Sequence, residues 1–501
     1  MNSIYQLFQQ HVNTSANKIA VIYNDKSLSY QQLDDQVGAL SSYFTSLGLK
    51  QGHRVALFAP NGLEYPTVML AAAKLGLAIV PLPISLKGDA LINALKVMPV
   101  AAAIAWPTIS KVLLQQRLVE RESIITLGEA VDGEKTWDTV FTSDFEPCDT
   151  PDVDISAPFI LTMTSGSTGQ PKPIVLSQQC KIKRAFSATI DYYHLSKADV
   201  VLVATPLYHS LAQRGVLMPL MLGATSVIMP KFSLPHWLKT IEQHKVSFLF
   251  AVSAQLESFL AQDSITEDIS SVRCLVSSSA VLNNDSKQAI MARLNCDFHE
   301  CYGASEVGVV TDFCVSKQPQ LSGSVGKALP FVAIKIVDKR GHTQPNNEIG
   351  EICCKTSTAF NEYFKMPEAT ENAYDSSGYF KTGDLGYLDE QGYLYYVGRK
   401  KEVISSGGIN VFPQDIEAVV KSHPMIIDCV AFGCQHPQLG EYVKVVYEQR
   451  GEQDLAMELR KLCLQELTDY QQPREFLKVS ELFRNPMGKV LRNQVKEQYK
   501  S

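Results

Sequence analysis

The sequence predicts an α/β fold, and three observations carry that prediction. Short apolar runs at 55–58, 200–205, 227–229, 248–252 and 274–276 are spaced by stretches long enough for helices, the rhythm of largely parallel sheets with helical crossovers. After Phe331 the texture changes to polar turns, such as 338–341 and 389–392, set between β-branched and aromatic runs. A polar stretch at 399–402, followed by Ser405 and Ser406, then marks a hinge before a last α+β unit. The expected division is a large N-terminal domain of mixed and parallel sheets flanked by helices (1–398), with a β-rich subdomain at about 331–398. The hinge (399–402) and a small C-terminal domain (403–501) complete it. A chain of 501 residues is long enough for two or three such units.

In chain order, Ser29 and Gln32 form a capping box, and Leu33, Val37, Leu40, Phe44 and Leu47 repeat at helical spacing up to Gly48. The apolar stretch 68–80 is interrupted by Lys74 and followed by Pro81 and Pro83, so it is too short to span a bilayer and reads as a buried helix turning into a strand. Phe159 to Leu161 and Ile174 to Leu176 read as two strands around a polar loop. Near the end, Leu455, Leu459, Leu462, Cys463 and Leu467 form one helical face that stops before Pro473.

Composition narrows the class. A formal net charge of -6 argues against a general nucleic-acid binder. The eleven cysteines show no Cys-x-x-Cys spacing, which disfavours zinc and fits a reducing compartment. Met1 to Gln6 lack the basic and apolar regions of a signal peptide, so a cytoplasmic location without a transmembrane segment is expected.

The loop between the two strands is the richest in chemistry. Thr164, Ser165, Gly166, Ser167, Thr168, Gly169, Gln170, Pro171 and Lys172 place hydroxyls, glycines and a lysine together, the ingredients of a phosphate cradle. A P-loop is excluded. Counting on from Gly166 reaches Pro171, Lys172 and Pro173 rather than Gly-Lys-Ser/Thr, and the two prolines oppose a helix here.

This loop resembles the signature of the adenylate-forming superfamily, which includes acyl-CoA synthetases, firefly-type luciferases and peptide-synthetase adenylation domains. Further segments of the same pattern follow in order: Tyr302-Gly303-Ala304-Ser305-Glu306, then 379–386, Gly398-Arg399-Lys400-Lys401-Glu402, and 485–492. The match runs from 28–33 to Arg492.

The resemblance implies attack of a carboxylate on the α-phosphate of ATP, followed by displacement of AMP by a thiol. It places the β- and γ-phosphates on 164–172, including Lys172, Mg²⁺ on Glu306, and the α-phosphate on Ser305. Ser279, Ala280, Tyr302 and Gly303 would border adenine, and Asp384 and Arg399 the ribose side. Asp384 is expected in a Thr-Gly-Asp turn. Lys489 would bridge the substrate carboxylate and the α-phosphate in the transition state. His209 would line the acyl pocket and gate thiol entry, and a mobile lid would swing about Lys401 to present Gly408 to the thiol.

No aspartate stands between Pro206 and Arg214 to pair with an amino group, which disfavours amino-acid substrates. Leu211, Ala212, Val307, Gly308, Val309 and Val310 suggest a neutral wall, hence a fatty or aryl acid. Three departures from the pattern stand out: Pro173 after the loop lysine, Ser278-Ser279 in place of a Gly-Gly pair, and Ser405 in place of a common lysine. The expected partners are ATP, a carboxylic acid, and either CoA or the phosphopantetheine thiol of a carrier protein. A relative that binds nucleotide or acyl ligand without turnover is the third reading.

Overall fold

The computed structural model describes residues 2–130, 133–143, 145–163, 172–278, 282–406, 409–436, 440–485 and 488–500. Two large sheets make up most of the N-terminal part. In the nine-stranded sheet, Cys274–Ser278, Phe248–Val252, Val200–Val203 and Thr225–Ile228 lie side by side and parallel. Asp297–Ala304 continues the parallel run, and Gly308–Cys314 turns back antiparallel at the edge. In the eight-stranded sheet Ala78–Pro81, Arg54–Phe58, Ala102–Ala105 and Ile124–Thr126 are parallel, while Pro158–Met163 and Pro173–Ser177 form an antiparallel hairpin. The apolar runs noted above are these strands, buried on both faces as parallel strands under helices must be.

The helices follow their sequence signals closely. Tyr30–Ser46 starts at Ser29 with both capping-box hydrogen bonds formed. Glu64–Leu75 is apolar around nearly its whole circumference, is buried accordingly, and ends at Gly76 with φ 68° before the strand Ala78–Pro81. Ser210–Leu222 lies so close to Val203 that a Cβ at Gly215 would come within 2.6 Å of a valine methyl. That close approach fixes His209, at the helix start, and Arg214 against the sheet.

An antiparallel sheet of four strands, Val332–Val337, Gly350–Thr356, Phe380–Leu388 and Leu394–Arg399, forms the β-rich part. Its turns are closed by Asp338 and Asp389, whose carboxylates accept backbone N–H groups of Arg340 and His342, and of Gln391 and Tyr393. The C-terminal part has its own five-stranded sheet, with helices Pro413–Lys421 and Ala456–Glu466 and a separate core around Ile416, Leu459 and Cys463. Among the described residues no helix is long and apolar enough to cross a membrane.

One buried polar network lies in the nine-stranded sheet. His299 Nδ1 is 2.6 Å from Asp312 Oδ1, and Tyr193 donates to the other oxygen. Asp312 and Cys314 together raise His299 to about 9 against the cost of burial. Asp297, His299 and Cys314 hold ligand atoms within 4.8 Å of one another, but the Asp312 ion pair accounts for the imidazole.

Candidate active site

The expected phosphate residues Thr164, Ser165, Gly166, Ser167, Thr168 and Gly169 lie outside the described residues, as do Ser279, Ala280 and Gly408. Their frames are described. Met163 and Pro173 face each other at the open end of the hairpin, so the 164–171 segment connects two paired strands. Ser278 ends its strand, half-buried, one residue short of the expected adenine border.

Lys172 leaves the hairpin with its Nζ 4.9 Å from the centre of the Tyr363 ring, and the Tyr363 hydroxyl donates to Glu306 Oε1 at 3.0 Å. Burial, and then the Glu306 charge, raise the phenol well above its ordinary range, so Tyr363 stays a neutral donor. Sequence reasoning missed Tyr363. It sits on the short strand Glu362–Tyr363 beside Ile174, and no local pattern announces that long-range pairing.

Glu306 itself stands in the turn between Asp297–Ala304 and Gly308–Cys314. A Cβ at Gly303 would lie 2.0 Å from the Gly308 carbonyl oxygen, so the hairpin closes only with glycine there. Arg184 pins the turn from below, donating to the carbonyls of Ser305 at 3.1 Å, Glu306 at 2.9 Å and Thr358 at 2.9 Å. These bonds hold Ser305 exposed and leave Glu306 partly open.

Tyr302 is 8% exposed and its hydroxyl donates to Asp384 Oδ2 at 2.9 Å. Asp384 is not in a turn, as the Thr-Gly-Asp sequence suggested, but in the strand Phe380–Leu388. Gly383, at φ 72°, lets the strand bulge against its neighbour, where the register shifts between Glu351 and Cys353, and Thr382 Oγ1 accepts the Asp384 N–H. The result points a 3% exposed carboxylate at Arg399, directly across the ladder, with Nε 3.0 Å from Oδ1. Burial raises the Asp384 carboxyl, and Arg399, Tyr302 and Lys489 oppose that rise.

Lys489 reaches this cluster from the C-terminal domain. Asn485 clasps its turn, accepting the Lys489 N–H at 3.0 Å while donating its own N–H to the Lys489 carbonyl at 2.9 Å. Gly488 has φ 79°, and a Cβ there would come within 2.8 Å of Ala254 Cβ on the N-terminal side. The side chain keeps an outer exposed surface, yet the enclosure of its ammonium, and then the Arg399 charge, lower its pKa while Glu402 and Asp384 counteract. Arg492 ties the same end to the chain at Glu402 and Glu417, at 2.9 Å and 2.7 Å. Lys401 is exposed on the 3-10 turn Lys400–Glu402, and the Ser405 N–H donates to Glu441 Oε2 at 2.9 Å.

His209 is held down to about 4 by burial, so it is uncharged at neutral pH. Its ring lies tilted against that of Tyr208, centroids 4.4 Å apart, and its Nε2 finds no hydrogen-bond partner among the described residues. The wall expected to be neutral is only partly a wall. Ala212, Val307, Val309 and Val310 are buried within the main hydrophobic core, and beneath Gly308 lies the Arg184 guanidinium.

The sequence profile of the AMP-binding enzyme family matches residues 8–364, and that of its C-terminal domain matches 415–489. The chain is 29% identical to the indoleacetate–CoA ligase of Aromatoleum aromaticum over 97% of its length and 96% of that protein. It is 29% identical to the sulfoacetate–CoA ligase of Cupriavidus necator, covering 93% and 91%. It is 26% identical to the fatty acid–[acyl-carrier-protein] ligase ScoC of Streptomyces coeruleorubidus, covering 100% and 97%. ATP-bound MatB from Rhodopseudomonas palustris superposes with a TM-score of 0.91 at 25% identity, covering 100% and 99%.

Proposed function

The chain belongs to the AMP-binding enzyme family, whose named relatives here are acid–thiol ligases, and from that premise we propose an assignment of its residues to the two half-reactions. In the first, a substrate carboxylate oxygen bonds to the α-phosphorus of ATP as the bond to the β-phosphate oxygen breaks. An acyl-adenylate forms and pyrophosphate leaves. In the second, a thiol sulfur bonds to the acyl carbon, AMP departs, and the thiol proton passes to solvent.

The observation that supports this most is the meeting of Lys489 with Asp384 and Arg399, groups delivered by separate domains to one cluster. Two anions repel as they approach, and Lys489 offsets the charge that develops between carboxylate and α-phosphate. Asp384 accepts the ribose hydroxyls while Arg399 and Tyr302 hold its carboxylate in place. Ser305 donates to the α-phosphate, and the 164–172 segment with Lys172 receives the β- and γ-phosphates.

Glu306 fits a magnesium ion, because it is a hard oxygen donor held on one side by Tyr363 and still partly open. Mg²⁺ there supplies charge neutralisation on the phosphate oxygens. After adenylation the C-terminal domain turns about Lys401, withdraws Lys489 and brings the Gly408 region to the thiol. His209, neutral and unbonded at Nε2, gates the acyl side without adding charge.

We take CoA as the thiol acceptor, with a separate carrier protein as the second reading, favoured by the likeness to ScoC. The acid is not set by likeness, since the relatives act on indoleacetate, sulfoacetate and fatty acids. Pyrophosphate release from ATP·Mg over a panel of acids, with and without CoA, tests the reading. The expected result is release that depends on one acid class and is sustained by CoA. A burst that CoA does not sustain would move the acceptor to a carrier protein, and absence of release with every acid would defeat the assignment.

A further inference from the structure

Beside the acyl gate lies a group of cations with no counter-charge. Lys181 and Arg184 project from the helix Gln178–Ala185 and are 6% and 2% exposed. Arg214 reaches toward them from the helix Ser210–Leu222, and all three line one small cavity with Ser210. Among the described residues none of the three makes an ion pair with a carboxylate.

Their neutral partners are few. Lys181 donates to Gln213 Oε1 at 2.9 Å, and the Gln213 Nε2 has no acceptor among the described residues. Arg184 is satisfied by three backbone carbonyls, but these carry no charge. Among the described residues Arg214 has only the face of Phe250, 5.6 Å from its guanidinium carbon. Burial, and then Arg184 and Arg214, push the Lys181 ammonium down to about 7.

Enclosed cations without an anion are costly to keep, and a folded chain retains them at ligand sites far more readily than in a core. The position says which ligand. Arg184 grips the carbonyls of Ser305 and Glu306 from beneath, and Ser210 adjoins His209, so the cavity sits behind the carboxylate-activating centre on its acyl side. The enclosed space measures about 10 Å³, room for about one water. Any terminal group larger than a water must part this lining to enter, and the three cations favour that for an anionic end over an alkyl tail or an aromatic ring.

We propose that the acid activated by this protein is a short dianion, whose second carboxylate or sulfonate is held by Lys181, Arg184 and Arg214. This rests on the adenylating function proposed above and revises the expectation of a fatty or aryl acid, which was drawn from a wall that proves largely part of the core. Arg214 gives the bidentate geometry that a carboxylate or sulfonate fits, and Lys181 a point charge.

Acid-dependent ATP–pyrophosphate exchange tests it with three matched series: short α,ω-dicarboxylates, sulfo-carboxylates of the same length, and monoacids in which a methyl group replaces the second anion. The expected result is a kcat/KM for one dianionic series about 100-fold or more above the methyl series, since one uncompensated buried charge is at stake. Which dianionic series wins distinguishes carboxylate from sulfonate. Arg214→Met and Lys181→Met should each erase most of that preference through KM for the dianion, with ATP affinity unchanged, and Arg214→Lys should recover part of it. Exchange driven equally well by the methyl series, or a preference that survives Arg214→Met, would overturn the dianion pocket and leave the adenylating function standing. Exchange with no acid in these series would overturn the dianion pocket as well, and only silence that extends to fatty, aryl and amino acids, from protein that still binds ATP, would overturn the adenylating function.

Discussion

The proposed nucleotide side and the proposed acyl side of this site treat charge in opposite ways. Around Asp384 each charge has an answer: Arg399 across the ladder, the Tyr302 hydroxyl behind it, and Lys489 docked alongside. Around Lys181 the charges are of one sign and the nearest acceptors are neutral. A compensated cluster is stable without its ligand and so can position ATP in advance, while an uncompensated one holds back its stabilisation until an anion arrives. The same chain thus balances the charge of one subsite and leaves that of the other unbalanced.

The first way to break that contrast is Lys489→Ala. It should lower adenylate formation about 100- to 1000-fold while ATP still binds, as expected when a preorganised charge at the transition state is removed. Calorimetry with ATP alongside rapid-quench adenylation would read both. Asp384→Asn comes next, weakening the hold on ribose and leaving Arg399 without its partner. KM for ATP should rise about 10- to 100-fold, the range for a lost charge-assisted hydrogen bond, and an unchanged KM would show that the carboxylate is structural only.

Gly488→Ala should cost less, about 5- to 30-fold in adenylation. It forces a left-handed alanine and crowds Ala254, while thioester formation from preformed adenylate stays intact. The mildest change is His209→Gln. Because His209 is pushed from 6.5 to about 4, the unfolded chain binds a proton between those values that the folded one refuses. Wild-type stability therefore falls as pH drops from about 6.5 to 4, and the variant should show a shallower fall in its melting temperature across that window. Parallel curves would remove His209 from the buried neutral role.

Much of this was readable before the fold was known, for physical reasons. Local signals were sound where the chemistry is local: the Ser29 box, the buried helix that gives way to a strand before Pro81, the Asp338 and Asp389 turns, and the strand pair on either side of 164–171. Motif order pointed to Tyr302, Glu306, Asp384, Arg399 and Lys489, and the structure brings three of these, Tyr302, Arg399 and Lys489, to Asp384. What stayed hidden depends on distant pairing. Tyr363 meets Glu306 through a two-residue strand, and Lys181 and Arg184, three apart on one short helix, look like an ordinary solvated face until Arg214 is folded against them. Asp384 was misplaced because Thr-Gly-Asp reads as a turn, whereas Gly383 here serves a bulge inside a strand.

The contrast is tested most directly by the melting temperature of wild type and Lys181→Met at pH 6, each with and without a saturating short dianion. Lys181 is pushed from 10.5 to about 7, so its folded form binds fewer protons than the unfolded chain between these values. Stability then rises with pH across that window, and below about 7 the full cost of the enclosed charge is present. The account predicts that the methionine variant melts higher than wild type without ligand and gains less from the dianion, so that the order of the two narrows or reverses on binding. A variant that melts lower without ligand and gains as much from the dianion as wild type would contradict it.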